Sequence, residues 1–177
     1  MMGVPRDVMV QTLRSISIKG RVEIVPVGQN YTLMIDYAHN AMSLKSVLET
    51  LREYNPSRLV CMFGCGGNRS KARRYEMGEV SATYADLTVV TSDNPRFEEP
   101  LDIIEDIVIG VKRGFGNYAI IPDRKEAIRY CMLHGEKDNI IVLAGKGHET
   151  YQEIKGVKYA MDERDLIRQI MTEENLN

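Results

Sequence analysis

Five short segments of this sequence gather residue types that can hold or exchange charge, and each follows directly on an apolar run. The first to consider is Gly64-Cys65-Gly66-Gly67-Asn68-Arg69-Ser70-Lys71, which leads into a stretch carrying Arg73 and Arg74. Glycines let backbone N–H groups approach an anion, and the start of a helix adds a partial positive charge. Arg69 can grip a carboxylate at two points. Read alone, the segment fits a tight turn ahead of a solvated basic helix start equally well. It has the spacing of neither a Walker A loop nor G-x-G-x-x-G.

In Ala144-Gly145-Lys146-Gly147-His148-Glu149, two glycines flank a lysine, which suggests a close approach of that lysine to a charged ligand. Glu149 could accept bonds from an ammonium group. The plainer alternative is a left-handed turn with exposed charges, but Lys, His and Glu together after a buried strand favour a binding role. Asp36-Tyr37-Ala38-His39-Asn40 holds a lone histidine, more often structural than catalytic, that could meet a nucleotide. Ser92-Asp93-Asn94-Pro95-Arg96 is by composition a proline turn. An asparagine amide and an arginine fork on one turn would also suit an amino acid, whose carboxylate and ammonium both need partners. Pro122-Asp123-Arg124 is the fifth segment.

The elements needed to position these segments are legible as alternating apolar runs and amphipathic stretches. Strands are expected over residues 32–35, 58–63, 86–91, 118–121 and 140–144, with a short strand pair around residues 154–157. Helices are expected over residues 43–54, 72–84 and 101–112, from residue 124 to near 134, and from residue 162 onward. Repeated βα units predict an α/β domain, a mainly parallel sheet with helices on both faces. Right-handed crossovers then bring all five segments to one edge of the sheet, around one crevice. Residues 4–13 read as a short helix, residues 22–27 as β-prone, and residues 173–175 as a frayed end.

Bulk properties narrow the classes. The 177 residues amount to about one domain, and a net charge of −2 argues against nucleic acid as a partner. No apolar run is long enough to span a bilayer and the N-terminus lacks a signal pattern, so the plain reading is a cytoplasmic protein without a membrane partner. Cys61, Cys65 and Cys131 have no C-x-x-C spacing, which disfavours a disulfide framework or zinc site. Cys61 and Cys131 are expected in the core, and no metal ligands are assigned.

Taken in order, Gly20-Arg21-Val22-Glu23, Asp36-Tyr37-Ala38-His39-Asn40, Phe63-Gly64-Cys65-Gly66-Gly67-Asn68-Arg69, Thr91-Ser92-Asp93-Asn94-Pro95-Arg96 and Ala144-Gly145-Lys146-Gly147-His148-Glu149 closely resemble the C-terminal domain of the Mur ligases. The resemblance runs from Arg21 to the end and is strongest toward the branch that adds the third residue of the peptidoglycan stem peptide. It implies a Rossmann-like fold over residues 21–177, with residues 1–20 the tail of a central ATPase domain plus linker. It implies an ATP- and Mg2+-dependent ligase acting on UDP-MurNAc-L-Ala-D-Glu through an acyl phosphate, which the amine of meso-diaminopimelate attacks. By the same match Asn94 and Arg96 would bind the distal end of the amino acid, with Asp93 beside them. Arg69, Gly145 and Glu149 would complete its contacts. Arg21, His39 and Asn40 would face the nucleotide, with Asp36 a neighbour.

The family pattern places a Pro-Asp or similar pair after His39-Asn40, where Ala41-Met42 stand here. No Walker A loop, UDP-binding region or magnesium site of the central domain is found, so the chain alone is expected to be an incompetent ligase with no catalytic residue of its own. Two alternatives stay open: a free-standing, non-catalytic amino-acid-binding module, and the same ligase using lysine.

Overall fold

The structure is a computed structural model and describes Val8 and residues 18–176. The helix expected over residues 4–13 lies, apart from Val8, outside them, as does most of the expected tail of a preceding domain.

The chain opens with β1 (Glu23–Val25) and β2 (Thr32–Asp36), followed by α1 (Ala41–Arg52), β3 (Arg58–Phe63), α2 (Lys71–Tyr84), β4 (Leu87–Val90) and α3 (Pro100–Arg113). It continues through β5 (Tyr118–Ile120), α4 (Arg124–Leu133), β6 (Asn139–Ala144), β7 (Tyr151–Ile154), β8 (Val157–Ala160) and α5 (Glu163–Glu173). Six strands form one sheet in the order β1-β2-β6-β3-β4-β5, and β7 and β8 form a separate antiparallel hairpin. Every neighbouring pair in the large sheet is parallel except β1 with β2.

Strand periodicity divides the core in two. On β3, Leu59, Cys61 and Phe63 pack against α1, α2 and α3, whereas Val60 and Met62 face α4 and α5. Both faces are covered, which is why β6 is apolar almost throughout. On α1, Leu44, Leu48 and Leu51 form the inward stripe, each contributing about 2 kcal/mol of burial.

Helix α1 begins two residues before the sequence pattern suggested, because Asn40 caps it. The Asn40 side chain accepts a bond from Ser43 N at 2.9 Å, and Ser43 closes a capping box. Residues 173–176 are tied rather than frayed. Glu173 pairs with Lys125 and Arg129, and Leu176 N bonds Met171 O. Among the described residues no helix is long and apolar enough to cross a membrane.

The crossover from β2 through α1 to β3 leaves a gap that β6 fills from the far end of the chain. The carboxyl ends of β2, β6, β3 and β4 therefore stand side by side, the place where open α/β sheets bind ligands.

Candidate functional site

A cleft of about 290 Å³ opens over those strand ends. Tyr37 and His39 contribute after β2, and Gly64, Cys65, Gly66 and Arg69 after β3, with Arg73 from the first turn of α2. Asp93, Asn94 and Arg96 follow β4, and Gly145 and Glu149 follow β6. All six residues expected to meet an amino acid thus share one cleft. The fifth segment does not join them. Arg124 instead lies buried behind the cleft, donating to Ser92 O at 3.0 Å and Ala144 O at 3.2 Å, the carbonyls just before Asp93 and Gly145. Its guanidinium is paired with the equally buried Glu163 at 2.8 Å.

The walls after β3 and β4 touch through backbone. Gly67 N donates to Asn94 O at 2.8 Å, and a Cβ on Gly67 would fall 1.9 Å from Pro95 O. Gly67→Ala must push the walls apart. We expect a loss of about 2 kcal/mol and a melting midpoint lower by roughly 4–8 °C; an unchanged calorimetric melt refutes the contact.

Arg96 is held in the left-handed region, at φ 53°, by pairing with the hairpin. Its N–H donates to Glu153 O at 3.0 Å, and its carbonyl accepts from Lys155 N at 2.6 Å. Such a conformation in a non-glycine residue persists only where surroundings enforce it. The side chain is aimed as well: Nε donates to Glu153 Oε2 at 3.2 Å and Nη1 to Gly67 O at 2.7 Å. Nη2 has no partner among the described residues.

Lys146 departs from the sequence reading. It is fully buried, turned inward between Gly145 at φ 108° and Gly147 at φ 52°. Its Nζ donates to Asn94 Oδ1 at 2.6 Å, Tyr151 O at 2.7 Å and Glu149 Oε2 at 3.4 Å. It also forms an ion pair with Asp93 at 3.0 Å. Asn94, expected as a ligand contact, is itself 4% exposed and largely committed to the scaffold. Its Oδ1 also accepts from Glu153 N, and its Nδ2 donates to Glu149 Oε2 at 3.0 Å.

The two arginines of α2 diverge. Arg73 lines the cleft, whereas Arg74 is 1% exposed and bridges Asp106 at 2.9 Å and Glu98 at 2.8 Å. Burial acts against ionisation of Glu98 but is outweighed by the Asn68 N–H and Arg74, which hold its carboxyl below the usual range. Arg73, Tyr37 and Cys65 are lining residues that the sequence reading had not assigned to the site. The spacing of Arg74, Met77, Gly78 and Ser81, all buried, is a helical stripe that marks Arg74 as inward and leaves Arg73 beside it.

Tyr37 and His39 also belong to an aromatic ledge at the edge of the cleft. Arg21 sits 4.9 Å over the Tyr37 ring, and the rings of His39 and His148 flank it at 4.7 and 4.8 Å. Asp36 is buried beneath, accepting from Val22 N at 2.8 Å and Ala38 N at 2.7 Å. The Asn40 acceptor is taken by the α1 cap. All three cysteines are buried, and desolvation pushes their thiols up to about 12, which disfavours a nucleophilic role for Cys65. Among the described residues no group of three or more His, Cys, Asp or Glu could hold a metal ion.

The fold is that of a doubly wound α/β domain, with arginines and one half-free carboxylate converging over its strand ends. The model of the Mur ligase glutamate ligase domain matches residues 20–147. UDP-N-acetylmuramoyl-L-alanyl-D-glutamate–2,6-diaminopimelate ligase from Caldanaerobacter subterraneus subsp. tengcongensis is 43% identical over 172 residues, covering 97% of this chain and 36% of that protein. Its counterpart from Clostridium tetani is 44% identical over 174 residues, again 97% of this chain and 36% of the relative. A solved structure of a ligase of the same name superposes with a TM-score of 0.83 at 34% identity, over 93% of this chain and 34% of its own. The chain belongs to the Mur ligase family. It spans about a third of the length of the relatives it matches.

Proposed function

We propose that this domain binds the amino acid, meso-diaminopimelate, that a Mur ligase joins to UDP-MurNAc-L-Ala-D-Glu in peptidoglycan synthesis. The observation that carries this reading is the set of charged groups left free in the cleft. Among the described residues Arg69 and Arg73 have no hydrogen-bond or ion-pair partner, Arg96 keeps Nη2 free, and Glu149 keeps Oε1 free. Cations and an anion are thus offered together, matching the carboxylates and ammonium groups of a diamino diacid. The names of the relatives support the same ligand.

In this reading Arg69 and Arg96 take carboxylates, Glu149 and Gly145 take an ammonium group, and Asp93 and Asn94 shape the wall. Arg21 and His39 meet the nucleotide through the ledge with Tyr37, which fits a flat base or ribose better than a metal ion; Asn40 lies next to it. ATP activates the acceptor carboxylate as an acyl phosphate, and this domain presents the attacking amine. Magnesium is assigned to the rest of the relatives' length, because the donor set here does not suit it. The chain is a binding part of the ligase, without a catalytic residue.

The test is a titration of the 15N-labelled chain, whose chemical shifts register weak binding. We expect meso-diaminopimelate to shift resonances after β3, β4 and β6, with L-lysine weaker by at least about tenfold. Absence of cleft shifts with either amino acid overturns the reading.

A further inference from the structure

A buried lysine with three acceptors at bonding distance is rarely accidental, because lysine is almost never fully buried unless paired. The ammonium group of Lys146 carries three protons. Each has a hydrogen-bond acceptor: Asn94 Oδ1, Tyr151 O and Glu149 Oε2. Asp93 adds charge compensation at 3.0 Å without hydrogen-bond geometry.

The consequences run outward to the cleft. Two donors, the ammonium and Glu153 N, face Asn94 Oδ1, so the amide can sit only one way round. That orientation aims Nδ2 at Glu149 Oε2. Glu149 Oε2 therefore receives two donors, Asn94 Nδ2 and Lys146 Nζ, while Oε1 has none among the described residues. Glu149 lines the cleft. One oxygen of the carboxylate is anchored in the scaffold and the other is left for a ligand cation.

We propose that Lys146 is a positioning residue that fixes Asn94 and Glu149 from behind, so that a single free oxygen of Glu149 receives the ligand's ammonium group. The ligand part of this proposal rests on the reading of the cleft as an amino-acid site; the positioning part does not. Lys146 touches no ligand itself, and it also ties the loop after β6 to the start of the hairpin through Tyr151 O. Amino-acid affinity is thereby set by a cation that the amino acid never meets.

The experiment has two arms. Without ligand, the side-chain amide protons of Asn94 are followed by NMR in the parent and in Lys146→Met, which keeps an unbranched chain but removes the charge. The expected result is a shifted pair of signals exchanging with solvent at least about ten times faster. Unchanged Asn94 signals in a folded variant overturn the positioning role. Should the single variant fail to fold, Lys146→Met/Asp93→Asn removes the cation together with one of its anions and is compared with Asp93→Asn.

With ligand, meso-diaminopimelate is titrated into the parent, Lys146→Met, Glu149→Gln and the double variant. Each single change is expected to weaken binding at least about tenfold, and the double variant to stay within about threefold of the weaker single. A purely structural lysine would instead give losses that multiply, and that result overturns the link to Glu149. A parent that ignores meso-diaminopimelate defeats the ligand assignment, while the Asn94 signals still decide the positioning role.

Discussion

Replacing Arg96 by alanine is expected to weaken the binding of meso-diaminopimelate by roughly a hundredfold while changing lysine by less than about threefold. The two amino acids differ by one carboxylate, and two charge-assisted bonds at about 1.5 kcal/mol each account for the factor. The geometry also bears on how discrimination would work in this reading. Arg96 keeps Glu153 and Gly67 O as partners without any ligand, so lysine does not strand an unpaired guanidinium. Selectivity is therefore expected to come from bonds that diaminopimelate would gain through Nη2, not from a penalty imposed on lysine. The backbone at φ 53° accepts alanine about as readily as arginine, and the strand-like bonds to the hairpin remain. Lysine binding therefore serves as the internal control for loop integrity. Titrating both ligands into the parent and Arg96→Ala decides the matter, and an equal loss for both sinks the assignment of Arg96 as carboxylate reader.

The parts of this site that were legible in the sequence are those set by local chemistry. β3 occupies residues 58–63 as its apolar run indicated, and the loops after β2, β3, β4 and β6 meet because parallel crossovers leave no other arrangement. What escaped detection depended on long-range contacts. Lys146 reads as a ligand contact from its neighbours, but two left-handed glycines turn it inward toward acceptors on β4's loop and the hairpin. Residues 154–157 showed a hairpin, yet not that β7 would brace Arg96, some sixty positions away in the chain. Arg124 was placed on the crevice because it follows a strand; β5 stands at the sheet's end, so its loop reaches the site only from behind. The antiparallel pairing of β1 has no local signature either. Strand type and loop composition are local properties, whereas side-chain direction at a turn is a property of the assembled sheet.

The largest stability effect is expected at Arg124. Its guanidinium and the Glu163 carboxylate are each 1% exposed, and Glu163 Oε2 has no hydrogen-bond partner among the described residues. Removing one member of such a pair strands the other in a low-dielectric interior, which costs about 3–5 kcal/mol. Arg124→Met should therefore lower the melting midpoint by roughly 10 °C or more. Burial already pushes the Glu163 carboxyl above its ordinary 4.5, with Arg124 acting against the shift. Without Arg124 that upward shift grows. A group that binds its proton more tightly when folded adds stability at low pH and loses it as pH rises through its folded value. The deficit of Arg124→Met relative to the parent should accordingly widen above about pH 4.5 and close as the pH falls toward it. A deficit independent of pH would show that packing, not the stranded carboxylate, is responsible. Arg124→Met/Glu163→Leu removes both charges and is expected to recover most of the lost stability. It cannot restore the donors to Ser92 O and Ala144 O, the roots of the two loops carrying Asp93 to Arg96 and Gly145 to Glu149. Ligand affinity in the double variant should thus remain at least about tenfold below the parent while thermal stability returns. If affinity returned with stability, Arg124 would be a fold element alone, and the loops would owe their placement to Lys146 and the hairpin.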